Sequence, residues 1–561
     1  MRTVRELTEE LAFSLADRLT AIVERDGNDA TLLGYPIIAD ESCFTKGAVI
    51  GICTQLYLRA VRAGAPDAGK YRERMLHAFS LVGDDETVRT WGKLSILKSV
   101  LALKKEGELS LLSEEQLALL NRKTVYDDFA DLESLRLIGL AASNYFHVAM
   151  ECAGLRELLG FESKGASERF KEKMISVMKE GSESGWMDES PPNGRFDSYS
   201  VGMNLTMCNA LELVEKPVPD FMRENAIKSA ELFFAARNRK GHGFSYGRSI
   251  SMYGESAAVG HMLYAIRAGV FTGARREEAI AYCIHAAEKL VDFWYDKELG
   301  LCNIWLKGRA TENYRGIHRI FEVNMEFVKI LWEVLDGFEQ IGWADKLPET
   351  DVSLPDTWQW HKELFVDGEE HKRAAYVLRY ENHAFMLPLI GISTYMGCGS
   401  YMPFPHEPWF LESPPSKVEW EHPFLTPAVV LKDGTVAFPV QYYTAIRERE
   451  TAKGLQITAE GHLAVSHRNY KNPCHMIKET FSVAYVFEDS RIRVEYDIPD
   501  GVYATVLFAG ESTAHLDFCN AVSVNPFDAS GNEQYHTPSG ALKEGVHAAY
   551  RGGHVVYEIS L

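Results

Sequence analysis

The sequence predicts an α+β, multidomain chain: a helical half the size of an (α/α)6 toroid, followed by an antiparallel β half. Three observations carry this. Apolar residues recur at helical spacing from Arg5 to about Leu335. From about Arg373 onward, short β-branched and aromatic runs alternate between turn signals. A chain of 561 residues also exceeds what one hydrophobic core can hold. Helices first and strands afterwards exclude a chain of βαβ units.

In the first half, helical periodicity marks Val4–Glu24, Ala48–Val61, Leu132–Leu159, Val201–Leu213, Arg223–Ala236, Glu255–Ala268, Glu277–Trp294 and Glu322–Leu335. Gly, Pro and Asn fill the gaps, as in Gly181–Gly194 and Asn238–Gly243. About a dozen helices fit this length, enough for six helical hairpins. In the second half, Ala428–Leu431 and Thr435–Pro439 flank Lys432-Asp433-Gly434, a hairpin signal. Leu455–Thr458 and Leu463–His467 flank Glu460-Gly461, and Phe481–Phe487 and Ile492–Tyr496 flank Glu488-Asp489-Ser490, both read as turns. Val502–Ala509 and His554–Leu561 complete the strand-rich region. The stretch Leu347–Asp356, rich in Pro, Glu, Asp and Ser, marks a linker. The division is therefore residues 1–345 for the helical part, 346–372 for the linker and 373–561 for the β part.

Composition narrows the function. Hydrophobic residues at 46% and charged residues at 25% are ordinary globular values. A formal charge of −20 argues against nucleic acid and anionic membranes as partners, because both need a basic face. The first ten residues, Met1 to Glu10, lack the apolar core of a signal peptide, and no apolar stretch is long enough to span a bilayer. The nine cysteines are scattered, without a C-x-x-C pair, as reduced thiols of a cytoplasmic protein would be. No cofactor motif occurs, and no metal set: His371, His383 and His406 fit no zinc spacing and read as scattered surface residues. A homo-oligomer is compatible with the sequence, which does not fix the state of assembly.

Three segments carry polar and aromatic residues that a plain bundle does not need. In Ser143-Asn144-Tyr145-Phe146-His147, Asn144 and His147 share one helix face; the amide can donate to a carboxylate and the imidazole can move a proton. Local capping and a satisfied core histidine are the structural alternative. The second segment is Gly185-Trp186-Met187-Asp188 followed by Arg195-Phe196-Asp197-Ser198-Tyr199, a loop feeding a helix N-terminus, where free N–H groups favour anions. Trp186 can stack on a sugar, Arg195 and Asp188 can bind one, and Tyr199 can act as acid or base; Asp197 and Ser198 can equally well cap the helix. The third runs from Tyr246-Gly247-Arg248-Ser249 through Met252-Tyr253-Gly254-Glu255 to His261. Arg248 can hold a carboxylate with two parallel hydrogen bonds, or it can tie two helix ends together.

These segments resemble a group of bacterial toroid proteins long without assigned function, some of them linked to glucuronidase activity. Their order is similar to that in heparinase-, alginate- and hyaluronate-lyase-like toroid enzymes. The resemblance covers roughly residues 130–340. It implies a six-hairpin toroid with a cleft at one mouth, lined by Asn144, Asp197, Tyr199 and Arg248, and an antiparallel β-sandwich behind it. Two departures stand out: the family's paired Asn-then-Trp segment is Ser143-Asn144-Tyr145 here, and Gly254-Glu255 replaces an Arg after Tyr253.

Two chemistries fit. A uronate lyase removes the proton beside the carboxylate and expels the neighbouring glycosidic oxygen. Asn144 and Arg248 would neutralise the carboxylate, His147 or Tyr199 would be the base, and Tyr199 or Tyr246 the acid. A glycoside hydrolase of glucuronidase type needs two carboxyl groups, about 5 Å apart if retaining and roughly 6.5–9.5 Å if inverting. Asp188, Asp197 and Glu255 could supply them, and Trp186, Arg195 and His261 would help to bind the sugar in either case. The Asn/His/Tyr set would be surplus in a hydrolase, which favours the lyase. A non-catalytic saccharide-binding toroid is the third reading. The expected partner is a short uronic-acid oligosaccharide attacked from one end.

Overall fold

The computed structural model describes residues 1–37, 44–83, 88–131, 133–138, 144–181, 185–188, 196–247, 250–304, 317–367, 371–391, 401–407, 425–465, 475–500, 502–507, 516–528, 536–537, 540–541 and 544–561. Among these residues there are twelve α-helices: α1 (Val4–Asp26), α2 (Phe44–Arg62), α3 (Ala68–Ser80), α4 (Thr90–Lys105), α5 (Glu114–Lys123), α6 (Asn144–Leu159), α7 (Glu168–Gly181), α8 (Ser198–Leu213), α9 (Asp220–Ala235), α10 (Met252–Arg267), α11 (Gly273–Lys289) and α12 (Ile320–Gln340). Each even-numbered helix packs on the next, and α12 packs on α2, so the six close into a ring. Odd-numbered helices lie against that ring, α1 on α12 and α2, α9 on α8 and α10, and α11 on α10.

Residue pattern explains which helix goes where. In α10, Met252, Glu255, Ala258, Val259, His261, Met262 and Ala265 are buried while Tyr253, Ser256, Ala257 and Gly260 form a half-buried stripe, so the helix has one wide buried face. In α3 the buried set is Tyr71, Arg74, Met75, Ala78 and Phe79, the single stripe of a helix with one wet face. Capping boxes open α1 at Thr3 and α5 at Ser113. The helix expected over Leu132–Leu159 starts only at Asn144. Ahead of it, Asp131 Oδ1 accepts the N–H groups of Glu133 and Ser134, and Ala130–Asp131 pairs with Arg136–Leu137 in a small hairpin.

Among the described residues the strand half holds two large antiparallel sheets and the short pair His536–Thr537 with Gly540–Ala541. The larger runs Leu516–Asp517, His554–Ser560, Arg491–Asp497, His475–Glu488, Gly454–Val465, Tyr443–Glu450, Lys372–Tyr380 and Gln359–Asp367, with His383–Leu389 also on Lys372–Tyr380. The smaller has five strands, from Val436–Ala437 through Pro427–Val430, Val502–Leu507 and Glu544–Tyr550 to Ser523–Asp528. Val429, Ala437, Ala548 and Tyr550 of the smaller sheet share one apolar cluster with Tyr485, Val494 and Tyr557 of the larger. Strand Gln359–Asp367 lies inside the stretch read as linker, so the sheet begins before residue 373.

The turns at Asp433-Gly434 and Asp489-Ser490 occur as expected, with Gly434 at φ 85° and Asp489 at φ 48°. Glu460-Gly461 does not turn; it lies within the continuous strand Gly454–Val465. A Cβ at Gly461 would stand 2.6 Å from the Tyr442 carbonyl oxygen, so close approach of backbone, not chain reversal, requires the glycine.

Strands Lys372–Tyr380 and His383–Leu389 are buried on both faces. Ala375, Val377, Ala384 and Met386 join the helical core, whereas Ala374, Tyr376, Leu378, Phe385 and Leu387 join the sandwich core. Their turn meets the helical half directly, with the Arg239 N–H donating to Asn382 Oδ1 at 2.7 Å. Cys53, Cys152, Cys208, Cys283 and Cys302 are buried free thiols and Cys519 an exposed one; Cys43, Cys398 and Cys474 lie outside the described residues.

Candidate active site

The first turns of neighbouring ring helices meet in three places. Backbone meets backbone where α2 and α4 start, since a Cβ on Gly47 would fall 2.5 Å from Gly92 Cα. Trp91 of α4 lies 5.3 Å, ring to ring, from His147 and 6.4 Å from Tyr145, so α4 and α6 also start side by side. Between α8 and α10 the junction is polar. Asp197 is the N-cap of α8: its Oδ1 accepts the Tyr199 N–H at 2.9 Å, and its own N–H donates to Ser200 Oγ at 3.1 Å. The loop entering α10 brings Tyr246, whose hydroxyl donates to the Phe196 carbonyl at 2.8 Å.

The strand half completes this junction. Tyr401 donates its hydroxyl to Asp197 Oδ2 at 2.8 Å, across 204 residues of sequence. Gly247, at φ 75°, is pressed between them: a Cβ there would lie 2.8 Å from Asp197 Cβ and 3.2 Å from the Tyr401 ring. Ser245 Oγ donates to the His406 carbonyl, and Tyr246 lies 5.9 Å from the His406 ring. The segment 401–407 thus lines the loop that leads to Arg248.

The sequence-predicted residues separate into distinct environments. Asp197, Tyr199 and Tyr246 come together. Tyr199 is half-buried, whereas Tyr246 is 1% exposed. Burial, with the Asp197 charge second, pushes the Tyr246 phenol well above its ordinary value, which makes it a fixed donor and a poor proton carrier. His147 is buried against Trp91 on α6. Trp186 is not displayed for a sugar: it is 1% exposed, 4.9 Å from Phe365 and 5.8 Å from Phe244. Asp188 is half-buried and within electrostatic reach of Arg373 from the strand half. Arg195, Arg248 and the side chain of Asn144 lie outside the described residues.

Glu255 and His261 have structural surroundings. Lys289 Nζ is 2.6 Å from Glu255 Oε1, and the Trp294 indole donates to Oε2 at 3.2 Å. Lys289 also reaches His242 Nδ1 at 2.7 Å. Burial raises the Glu255 carboxyl, opposed by Lys289. His261 sits between α10 and α8, with Nδ1 2.8 Å from the Ala257 carbonyl and Nε2 3.2 Å from that of Val201; burial pushes it down to about 4. His406 is likewise no surface residue: it is buried, stacked on Phe404 and pushed down to about 3, and its neighbour Glu407 is fully buried.

Sequence reasoning missed Trp91, Lys289, Phe365 and the role of Tyr401. Nothing in the local sequence points Tyr401 at Asp197, 204 residues away.

The sequence matches no family model and no curated protein. Solved structures do resemble it. A chondroitin AC lyase from Streptomyces coelicolor A3, in complex with chondroitin sulphate, aligns at 12% identity over 99% of this chain and 79% of its own, with a TM-score of 0.50. What is shared is the fold. A heparinase III aligns at 11% identity over 98% of this chain and 84% of its own, TM-score 0.49. A glycosyl hydrolase family 88 protein from Bacteroides vulgatus aligns at 10% identity over 57% of this chain and 99% of its own, TM-score 0.36. The described residues have an α+β multidomain layout, helices first and antiparallel sheets after, and the first likeness covers 99% of this chain. No helix among the described residues is long and apolar enough to cross a membrane.

Proposed function

We propose that this chain is a carbohydrate-active enzyme that cleaves uronic-acid oligosaccharides by β-elimination, with Tyr199 as the central proton carrier. The observation that carries the reading is the junction at the start of α8, where a half-buried tyrosine stands on a helix turn fixed by a buried aspartate. In the reaction, the base takes the proton from the carbon beside the carboxylate. The electron pair left behind forms a C=C bond to the next carbon, and the glycosidic oxygen leaves with a proton from the acid. Tyr246 has its hydroxyl committed to Phe196 and His147 is buried, so Tyr199 is assigned both transfers. Asn144 and Arg248 would neutralise the carboxylate and lower the cost of the carbanion.

A carboxylate pair for hydrolysis is less well supported. Asp197 is engaged by the α8 amide and Tyr401, and Glu255 by Lys289 and Trp294. A six-hairpin toroid over residues 1–345, a β-sandwich after it and a cytoplasmic site of action belong to the same proposal. The chondroitin AC lyase likeness supports the architecture alone.

The test is ultraviolet absorbance during incubation with a panel of uronate oligosaccharides. A rise marks the unsaturated product of elimination, and Tyr199→Phe should abolish it while leaving the urea unfolding midpoint in place. New reducing ends without absorbance would assign hydrolysis instead.

A further inference from the structure

We propose that Tyr401, contributed by the strand half, is a positioning residue for the helical site: through Asp197 it sets the first turn of α8 and so the place of Tyr199. The inference rests on Tyr199 being the proton carrier, and it adds the element that holds it. The Asp197 carboxylate is shared. One oxygen receives the Tyr199 N–H at 2.9 Å and the other the Tyr401 hydroxyl at 2.8 Å, with Asp197 and Tyr401 both buried. The Ser200 N–H is a further donor to the same side chain, so Asp197 is tied to the first turn of α8 on one side, and Tyr401 ties its Oδ2 to the strand half on the other. Gly247 closes the third side, since no side chain fits between Asp197 Cβ and the Tyr401 ring. Tyr401 itself is 4% exposed, so it is not placed to touch a saccharide. The site is then assembled only when the strand half is seated.

Tyr401→Phe removes one oxygen and keeps the ring. Two readouts are taken on the full chain: amide hydrogen exchange of a peptide covering residues 198–205, and kcat and KM on the most active uronate oligosaccharide. Loss of a hydrogen bond to a charged group corresponds to about tenfold, so exchange in the first turn of α8 should rise about tenfold while distant helices stay unchanged. The kcat should fall by about the same factor with KM held within roughly twofold. In a Tyr199→Phe background the substitution should have no further effect on residual turnover. Unchanged exchange at α8 would overturn the proposal, as would a loss expressed only in KM. Should Tyr401→Phe unfold, Asp197→Asn, which keeps one acceptor oxygen, must give the same local exchange. Absence of turnover in the wild type would sink the lyase reading, whereas the exchange measurement judges the Tyr401 link by itself.

Discussion

Glu255 is the residue on which a catalytic and a structural role part most cleanly. Glu255→Gln removes one negative charge and little volume. In the native protein the carboxylate is 3% exposed, 2.6 Å from Lys289 Nζ, with Lys289 itself only 8% exposed. The substitution strands a buried ammonium whose other contact is His242, a neutral imidazole held well below its ordinary value by burial and by Lys289. Breaking a buried pair costs about 3–5 kcal/mol. The amide oxygen can still accept from Lys289, although the NH2 then replaces the oxygen that faced the Trp294 indole; one acceptor kept on the ammonium places this change near the lower end, about 3 kcal/mol. With a urea slope of about 3 kcal/mol per molar, the unfolding midpoint should drop by about 1 M. Replacing both residues, Glu255→Gln with Lys289→Met, should recover most of that loss, because no buried charge is left over. Urea titration followed by circular dichroism measures all three proteins. A single variant with an unchanged midpoint and no turnover would refute the anchoring role and return the carboxylate to the chemistry.

Further predictions concern pH, the tight glycine and the two tyrosines. His261 and His406 are pushed down to about 4 and about 3 by burial, against an ordinary value of about 6.5, so the unfolded chain binds protons first. Stability is full above pH 6.5 and falls as pH drops towards 4, by about 2 kcal/mol per histidine at pH 5; equal urea midpoints at pH 7 and pH 5 would contradict this. Gly247→Ala should cost about 1 kcal/mol for its φ of 75° alone, and more from the contact with Asp197, with turnover lost alongside. Tyr246→Phe leaves the buried Phe196 carbonyl without its donor and should cost about 1–3 kcal/mol while retaining turnover; a variant as inactive as Tyr199→Phe would make Tyr246 a proton carrier after all.

Much of the architecture was legible because it depends on periodicity. The widely buried α10 and the one-striped α3 differ in sequence as they differ in burial, whereas the first strand, Gln359–Asp367, precedes the change of texture at Arg373. Short-range chemistry was legible too: Asp197 as a cap before Ser198 follows from residue type and position. Other features depend on what lies across space. Gly461 reads as a turn until Tyr442 is seen against it. Trp186 reads as a sugar platform until Phe365 arrives from the strand half. Glu255 reads as a catalytic acid because Lys289 and Trp294 lie 34 and 39 residues away. The Tyr401 link spans the longest gap of these, and a carboxylate and a phenol so far apart carry no shared pattern.

Strands Lys372–Tyr380 and His383–Leu389 serve two interiors at once, with odd and even positions assigned to different neighbours. Inserting a single residue after Arg373 would reverse that assignment along the whole strand, turning Tyr376 and Leu378 towards helices shaped for Ala375 and Val377. Both interiors would fail together. Evolutionary exchange of either half for a foreign one is therefore restricted to partners that respect this parity, and heating should melt the helices and the sheets in a single transition.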